Sequence, residues 1–520
     1  MNRITDLLDR RLGQVTMYRL VTLTLVALVV VTMLYTGLGS LGDGLFTVSG
    51  QLVSLVVLLA ATIGSTWLLT RLWGVRPHLE SSAITALLLY FLFLPQTDAG
   101  KLGWLALAGV LASASKLVLA WRGRHVLNPA AAGAFGVYVV QSVLAIDPLD
   151  RVGASWWIAS ADLLPWVAVA ALLVLYRTRR LDVGLLFIAV ALPLVVLGLH
   201  HFGQAWGDAV RTAIETSPFV FLAGFMLSEP LTLPPRRHQQ LVVAVAAALV
   251  YAYPLAILVV TETPPLFGVG DQWQVAALLV GNLVAFAFAR RSGLRLELVE
   301  RRPRGGDTHE LIFRARRAPA FEPGQYAELH VPHGRADLRG SRRAFSISSA
   351  PSADGVMAFS LRVPQPASSF KRALGDLPVG ATIRSTGISG DFVLPRDRSV
   401  PVVLVAGGIG VTPFLSQLRH APERDAVLVY GVASGDDVPF ADELAHARVV
   451  LVSPSAPTTM PTGWTWAEGS FLTADLVAQV VPDLARRRAY VSGPPAMVNA
   501  VRRALAKRAR SVRTDYFSGY

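Results

Sequence analysis

Pro401-Val402-Val403-Leu404-Val405-Ala406-Gly407-Gly408-Ile409-Gly410-Val411-Thr412-Pro413 is the stretch that decides how the second half of this chain folds. The unbroken apolar run through Ala406 reads as a strand buried on both faces, and the glycines after it turn the chain into a helix. Thr412 is placed to cap that helix and Pro413 suits its first turn, so the loop offers free N–H groups and a favourable dipole end to an anion. A Gly-Gly-x-Gly loop on its own is explained equally well as a structural turn. Its position directly after a buried strand is what points to phosphate binding.

Working outward, further apolar strands occur at 426–430, 449–453 and 488–492 with helical segments between them. That order predicts a parallel α/β layer over residues 398–520. Upstream, short alternating segments bounded by Gly, Pro and Asp fall at 296–300, 310–314, 325–331, 344–348, 358–363 and 382–385. Their spacing predicts a small antiparallel barrel over residues 295–397.

The rest of the chain is different material. Of 520 residues, 53% are hydrophobic and only 16% charged, too apolar for a soluble protein of this length. Nearly everything from Met17 to Phe288 is apolar runs, whereas charges return from Arg290 onward. Runs of roughly 18 to 22 apolar residues, the length a bilayer core requires, begin near Tyr18, Leu52, Ser82, Leu102, Pro129, Ile158, Val183, Ser217, Leu241 and Val275. A polytopic membrane domain of about ten transmembrane helices over residues 1–290 is the expectation. The first run is longer than a signal-peptide core and lacks a small-residue cleavage pattern, so it counts as a span.

Loop charge orients the bundle, because Lys and Arg stay on the cytoplasmic side. Threaded alternately, Arg3, Arg10, Arg11, Arg71, Arg76, Arg122, Arg124, Arg177, Arg179, Arg180, Arg236, Arg237, Arg290 and Arg291 share one side, and only Lys101, Arg151 and Arg211 fall on the other. Both termini and the C-terminal half are therefore expected on the cytoplasmic face of the cell membrane. The net charge of +13 is read as topological, since the basic residues form no aromatic-interleaved patch for nucleic acid.

There is no cysteine, which excludes disulfides, thiolate-held zinc and cysteine-ligated iron–sulfur clusters. No metal site is expected. His78, His125, His200, His201 and His238 all fall at or near span ends, which argues against a bis-histidine haem stack. Any electron carrier is then organic.

Two stretches interrupt the apolar pattern. In His125-Val126-Leu127-Asn128-Pro129-Ala130-Ala131-Ala132-Gly133 an Asn-Pro pair opens a helix of small residues; in Met226-Leu227-Ser228-Glu229-Pro230-Leu231-Thr232 a carboxylate and a proline end one. Broken helices of this kind line cavities or binding sites, although both stretches also read as plain surface caps. Set among the apolar runs, they resemble the B subunit of sodium-pumping NADH:quinone reductase and the D subunit of the Rnf complex. That family carries FMN on a threonine in a Ser-Gly-Ala-Thr segment. Here the nearest match, Val152-Gly153-Ala154-Ser155, continues into Trp156-Trp157, so neither covalent flavin nor sodium pumping is implied.

In the C-terminal half, six stretches occur in one fixed order: Arg343-Ala344-Phe345-Ser346, Ser368-Ser369-Phe370-Lys371, Gly390-Asp391-Phe392-Val393-Leu394, the Gly407 to Pro413 loop, Ser492-Gly493-Pro494-Pro495-Ala496-Met497 and Phe517-Ser518-Gly519-Tyr520. Together they resemble the ferredoxin-NADP reductase superfamily. Taken singly, Arg343, Phe345 and Ser346 read as a salt-bridging arginine, a core aromatic and a strand hydroxyl. The resemblance implies instead that Arg343 pairs with a flavin phosphate, Phe345 packs on the isoalloxazine and Ser346 approaches the reactive flavin nitrogen, with Ala344 between them. It also implies that Ser368 and Ser369 lie near the pyrophosphate. By the same resemblance Gly408, Gly410, Thr412 and the Gly493-Pro494 turn are expected to frame the nicotinamide dinucleotide, with Ser492 where the family usually has cysteine. Phe517 and Tyr520 are the candidates for the aromatic on the other flavin face.

The expected chemistry is hydride transfer from NADH or NADPH to FAD, with Ser346 and Ser492 as the catalytic candidates, followed by single-electron steps into the membrane domain. The two carboxylates of Ala433-Ser434-Gly435-Asp436-Asp437 repel a 2′-phosphate and favour NADH, although a solvated loop explains them equally. A noncovalent FMN or a quinone near Asn128 and Glu229 is the expected next carrier, with partner electron-transfer subunits as further associates. An ion-translocating redox pump and a flavin-based redox sensor or transporter are the alternatives.

Overall fold

The apolar runs of the first half fold into eleven helices among the described residues: α1 Met17–Gly37, α2 Val48–Leu72, α3 Leu79–Leu92, α4 Ala99–Val118, α5 Pro129–Val143, α6 Leu164–Thr178, α7 Leu181–His201, α8 Trp206–Thr216, α9 Phe219–Leu227, α10 Arg237–Thr261 and α11 Trp273–Phe288. The structure, a computed structural model, describes residues 15–41, 46–74, 79–121, 124–147, 150–261, 272–288, 293–334, 341–363 and 366–516, without the side chains of 257–261. The chain divides into two compact units at residues 292 and 293.

Helices α1, α2, α4, α7 and α10 are long and apolar enough to cross a membrane, and α8 with α9 makes a sixth if that pair, bent by 47°, counts as one. Helices α3, α5, α6 and α11 are apolar but shorter. At 1.5 Å per residue each of these falls short of a roughly 30 Å hydrocarbon core. Apolar composition predicts ten full-length spans because it does not separate a helix from irregular backbone that is merely buried. Between α5 and α6, Val152, Ala154, Trp156, Trp157 and Ile158 are buried without being helical. This segment is held by the end of α3: Ser155 N–H donates to the Leu92 carbonyl at 2.8 Å and the Trp157 indole N–H to the Tyr90 carbonyl at 2.7 Å. The Ser155 and Trp156 N–H groups thus find a partner in the Leu92 carbonyl without a helix of their own.

Small residues set the helix spacing. A Cβ on Gly133 of α5 would lie 2.4 Å from the Ala108 carbonyl of α4, and one on Gly109 would lie 2.6 Å from Thr62 Oγ1 of α2. The same region is tied by hydroxyls, Ser82 donating to Thr66, Thr66 to Ser113, and Ser113 to the Thr62 carbonyl. Outward, Leu23, Val26, Val30 and Leu34 of α1 and Trp166, Val169 and Leu172 of α6 are exposed, so the apolar character continues to the surface.

The second unit opens with six antiparallel strands, β3 Leu294–Pro303, β4 Thr308–Ala315, β5 Tyr326–His330, β6 Arg342–Ser346, β7 Val356–Arg362 and β8 Thr382–Ser389, numbered after the short hairpin β1 Ala120–Trp121 and β2 Arg124–His125 of the helical unit. They lie in the order β6-β5-β8-β3-β4-β7, and a bridge between Ile347 and Phe359 joins the two ends into a barrel. Leu296, Leu298, Phe313, Phe359 and Ile383 fill it, with Phe370 from the short helix α12 Ser369–Gly375.

Six parallel strands follow in the order β12-β11-β10-β9-β13-β14. Four are the expected buried runs, β9 Val402–Gly407, β10 Ala426–Gly431, β11 Arg448–Ser453 and β13 Arg488–Gly493. The edge strands β12 Thr465–Glu468 and β14 Ser511–Tyr516 carry no continuous apolar run because only one side of each is paired and their side chains are partly exposed. Helix α13 Thr412–His420 packs on one face through Phe414 and Leu415; α15 Ala474–Val480 and α16 Pro495–Leu505 pack on the other through Val477, Val498, Val501 and Leu505, and the single turn α14 Ala441–Leu444 lies between β10 and β11.

Candidate dinucleotide and flavin site

Strands β9 and β13 are neighbours, yet the chain leaves β9 toward β10 and leaves β13 toward β14. Such a reversal opens a crevice at the carboxyl ends of the two strands. Both glycine stretches sit there. A Cβ on Gly410 would lie 2.4 Å from the Ser492 carbonyl, so the two loops touch backbone to backbone and any side chain at 410 would part them. Gly408 has φ +53°, and nothing lies within 4 Å of the point where a Cβ would stand, which leaves open space in front of the loop. Pro494 then stands at the N-cap of α16, and Pro495 is its first residue. Ser492 is fully buried, and its hydroxyl has no hydrogen-bond partner among the described residues. A buried orphan hydroxyl beside open, glycine-lined space fits a nicotinamide dinucleotide.

Thr412 does not cap α13 in the expected way. One turn of 3₁₀ helix, Gly408–Val411, runs straight into α13, and Thr412 is already helical, its hydroxyl donating back to the Ile409 carbonyl at 3.1 Å. With the preceding turn itself helical, there is no extended residue from which a hydroxyl could accept the first N–H groups.

On the barrel side, β6 alternates: Arg343 and Phe345 are buried, Ala344 is exposed, and Ser346 is buried at the strand end. Helix α12 meets this strand through Phe370, whose ring stacks on Phe345 with centroids 5.9 Å apart and planes inclined by 21°. The Arg343 guanidinium lies 5.1 Å from the Phe370 ring centre. Ser368 caps α12 by accepting from Lys371 N–H, and the Ser369 hydroxyl is 3.1 Å from His333 Nε2. The structure thus gathers Arg343, Phe345, Ser368 and Ser369 around one aromatic, and these residues fit the phosphate and ring of a flavin dinucleotide. His333 and Tyr326, which no sequence motif marks, join them. Tyr326 pairs with Ser346 across the sheet, is partly exposed, and lies against Gly390, where a φ of +111° and a Cβ that would stand 3.0 Å from the ring explain the glycine. An exposed aromatic opposite Ser346 is the signal that would have found it. Phe517 and Tyr520 lie outside the described residues.

A buried charge cluster fastens the two sites together. Glu310 of β4, 2% exposed, accepts from Arg304, from Arg419 of α13 and from the Ser348 hydroxyl. Arg419 also donates to the Ser348 carbonyl at 2.6 Å and pairs with Glu443, while the Ser416 hydroxyl donates to the Ser349 carbonyl at 2.7 Å. The helix that follows the glycine loop is therefore tied to the segment that follows Ser346. No local pattern announces this, since Glu310 and Arg419 at its centre are 109 residues apart.

The acidic pair after β10 has protein partners. Asp436 accepts from Thr458 N–H at 2.6 Å, a bond that holds its carboxyl below the usual carboxylate range. Asp437 lies against the Gly305-Gly306 turn, where a Cβ would meet its carboxylate. Loop structure accounts for both side chains.

Residues 404–503, from β9 through most of α16, match the family described as oxidoreductase NAD-binding domain. The propane 2-monooxygenase reductase component of Mycolicibacterium goodii is 33% identical over 193 residues, 35% of this chain and 53% of that protein. Ferredoxin–NADP reductase B of Sorangium cellulosum is 32% identical over 214 residues, 38% of this chain and 81% of that protein. The chain belongs to the ferredoxin–NADP reductase family. Its relatives are reductase components, among them a ferredoxin–NAD(P)(+) reductase component from Ralstonia, and the chain spans about half the length of the monooxygenase reductase components it matches. The crystal structure of the Amycolatopsis cytochrome P450 reductase GcoB is 26% identical, with a TM-score of 0.37 over 44% of this chain and 71% of that one.

The helical unit of this ferredoxin–NADP reductase relative has a polar cluster of its own. The two punctuated stretches, a hundred residues apart, converge: Glu229 bonds His125 Nε2 at 3.0 Å and accepts from Asn128 Nδ2 at 2.9 Å. Asn128 also caps α5, accepting from Ala131 N–H, and its own N–H donates to Asn282 of α11 at 2.6 Å. Arginines satisfy the carbonyls freed where α9 ends, Arg180 on Ser228 and Arg124 on Leu231. Capping and convergence are thus both true of these stretches.

Proposed function

We propose that this chain is a membrane-bound, FAD-dependent oxidoreductase that oxidises NAD(P)H on the cytoplasmic side and passes electrons to a flavin or quinone acceptor in or at the bilayer. One observation carries the reading: the Ser346 strand and the Gly408–Ser492 crevice are tied into one unit by Glu310 and Arg419, in a chain whose other unit is a bundle with an apolar exterior. FAD, when bound, accepts a hydride and releases electrons singly. The chain's own part is to hold it: Arg343, Ser368 and Ser369 at the phosphates, Phe345 and Tyr326 about the ring, Ser346 beside the reacting nitrogen. The crevice holds the nicotinamide against it with Ser492, and the buried walls exclude water.

Absorbance and mass spectrometry of the detergent-purified chain test this directly. One FAD per chain and steady NAD(P)H oxidation with a quinone are expected; a haem Soret band would sink the acceptor assignment, and bound flavin without turnover would favour a redox sensor. The names of the relatives support a second reading, in which the acceptor is a separate ferredoxin or oxygenase subunit. Turnover that appears only with such a protein would select it. A sodium or proton gradient built by liposomes during turnover would add ion pumping.

A further inference from the structure

Two cavities in the helical unit meet at the Glu229–His125 pair. The larger is walled by apolar side chains including Val21, Ile84, Leu88 and Phe225, and Glu229 and Asn128 stand in its lining. The smaller is lined by Arg124, His125, Trp121 and Phe286 among others. The carboxylate belongs to one cavity and the imidazole to the other, and they are bonded to each other at 3.0 Å across the partition.

We infer that the larger cavity binds a quinone head group and that the Glu229–His125 pair delivers protons to its oxygens. The inference rests on the membrane-acceptor reading above and names its substrate and site. An apolar chamber with a single hydrogen-bonded carboxylate in its wall suits a flat apolar ring bearing carbonyl groups. It suits FMN poorly, because the cations around it are taken up by protein oxygens: Lys116 donates to the Ser81 carbonyl and hydroxyl, Arg180 to Ser228, and Arg124 to Leu231. NAD(P)H is oxidised, giving two electrons and one proton; the quinone takes two electrons, and an O–H bond forms at each of its two oxygens. Each proton leaves the Glu229–His125 pair for a quinone oxygen and His125 reloads the pair twice from the smaller cavity, while the proton from NAD(P)H is released to solvent at the reductase unit, so the net uptake is one proton per turnover. Lys116 interacts electrostatically with Glu229, and Arg124 shares the lining of the smaller cavity with His125.

The test uses the full-length protein in lipid nanodiscs. A photoreactive azido-quinone is expected to label peptides containing 84–88 or 225–231, in competition with unlabelled short-chain quinone. Glu229→Gln should lower NAD(P)H-driven quinone reduction about 100-fold with little change in quinone KM, and His125→Gln about tenfold, both with an increased solvent deuterium effect. Labelling elsewhere while quinone turnover persists overturns this inference alone, as does a full rate in Glu229→Gln or a stoichiometric FMN found in the cavity. Wild-type protein that reduces ferricyanide but no quinone overturns the membrane-acceptor reading itself.

Discussion

The two units bury polar chemistry by opposite means. In the reductase unit a sheet does the positioning: Ser346 and Ser492 sit at strand ends, and the loops beyond them are short, glycine-rich and pressed together at Gly410. In the helical unit the Asn128–Glu229 cluster sits where helices stop, before α5 and after α9, and arginines from neighbouring segments satisfy the freed carbonyls. A strand end exposes few unpaired backbone groups, so a tight turn suffices. A helix end exposes four, so each break needs side chains from elsewhere in the chain. The reductase site is therefore more local in sequence than the helical one, its motifs being contiguous and its long-range ties gathered around Glu310, Ser416 and Arg419.

That contrast can be broken at several points. The largest effect is expected from Gly410→Val, whose Cβ must displace the Ser492 backbone: NAD(P)H-driven ferricyanide reduction should fall about 100-fold, while bound FAD, counted by absorbance, stays near one per chain. Retained activity would mean that the two loops part without consequence. Glu310→Ala comes next. It leaves Arg304 and Arg419 without their shared buried carboxylate, and a loss of about 3 kcal/mol in denaturant unfolding of the reductase unit is expected. A change of a few tenths would show the cluster to be a solvated one.

Ser492→Ala removes only a hydroxyl that has no partner among the described residues, so stability should be unchanged. Hydride transfer, read in stopped flow, should slow about tenfold through lost nicotinamide contact; an unchanged rate would leave the buried hydroxyl without a role. The smallest effect belongs to Asp436→Asn. Its depressed carboxyl contributes stability that is present above the ordinary carboxylate range and is lost as pH falls through the depressed value. Wild-type protection of the 455–458 loop in hydrogen exchange should weaken only in acid, and Asp436→Asn should flatten that dependence. The NADH-to-NADPH preference should shift by only a few-fold, because the carboxylate is occupied by Thr458.

Much of the reductase unit was legible because its motifs are contiguous. Arg343 to Ser346, the glycine loop and Ser492 to Pro494 each carry their geometry within a few residues. His333, Tyr326 and the Glu310–Arg419 cluster were not legible, since each takes its meaning from a strand or helix brought up from elsewhere. The edge strands β12 and β14 escaped for a related reason, being half-paired and half-exposed and so lacking a continuous apolar run. Thr412 misled because a cap depends on the dihedral angles of the turn before it, which the residue type does not reveal.

By itself the sequence determined the division into an apolar and a globular half, the order of a barrel before a parallel layer, and the glycine loop on which the second half turns. These follow from composition and from periods of two to four residues, which the chain carries locally. Only the tertiary structure decided that four of the apolar runs are short helices, that buried backbone at 152–158 is irregular, and that Asn128 and Glu229 meet. Burial makes helix and irregular segment look alike in hydropathy, and a contact across a hundred residues is a property of packing rather than of either stretch alone.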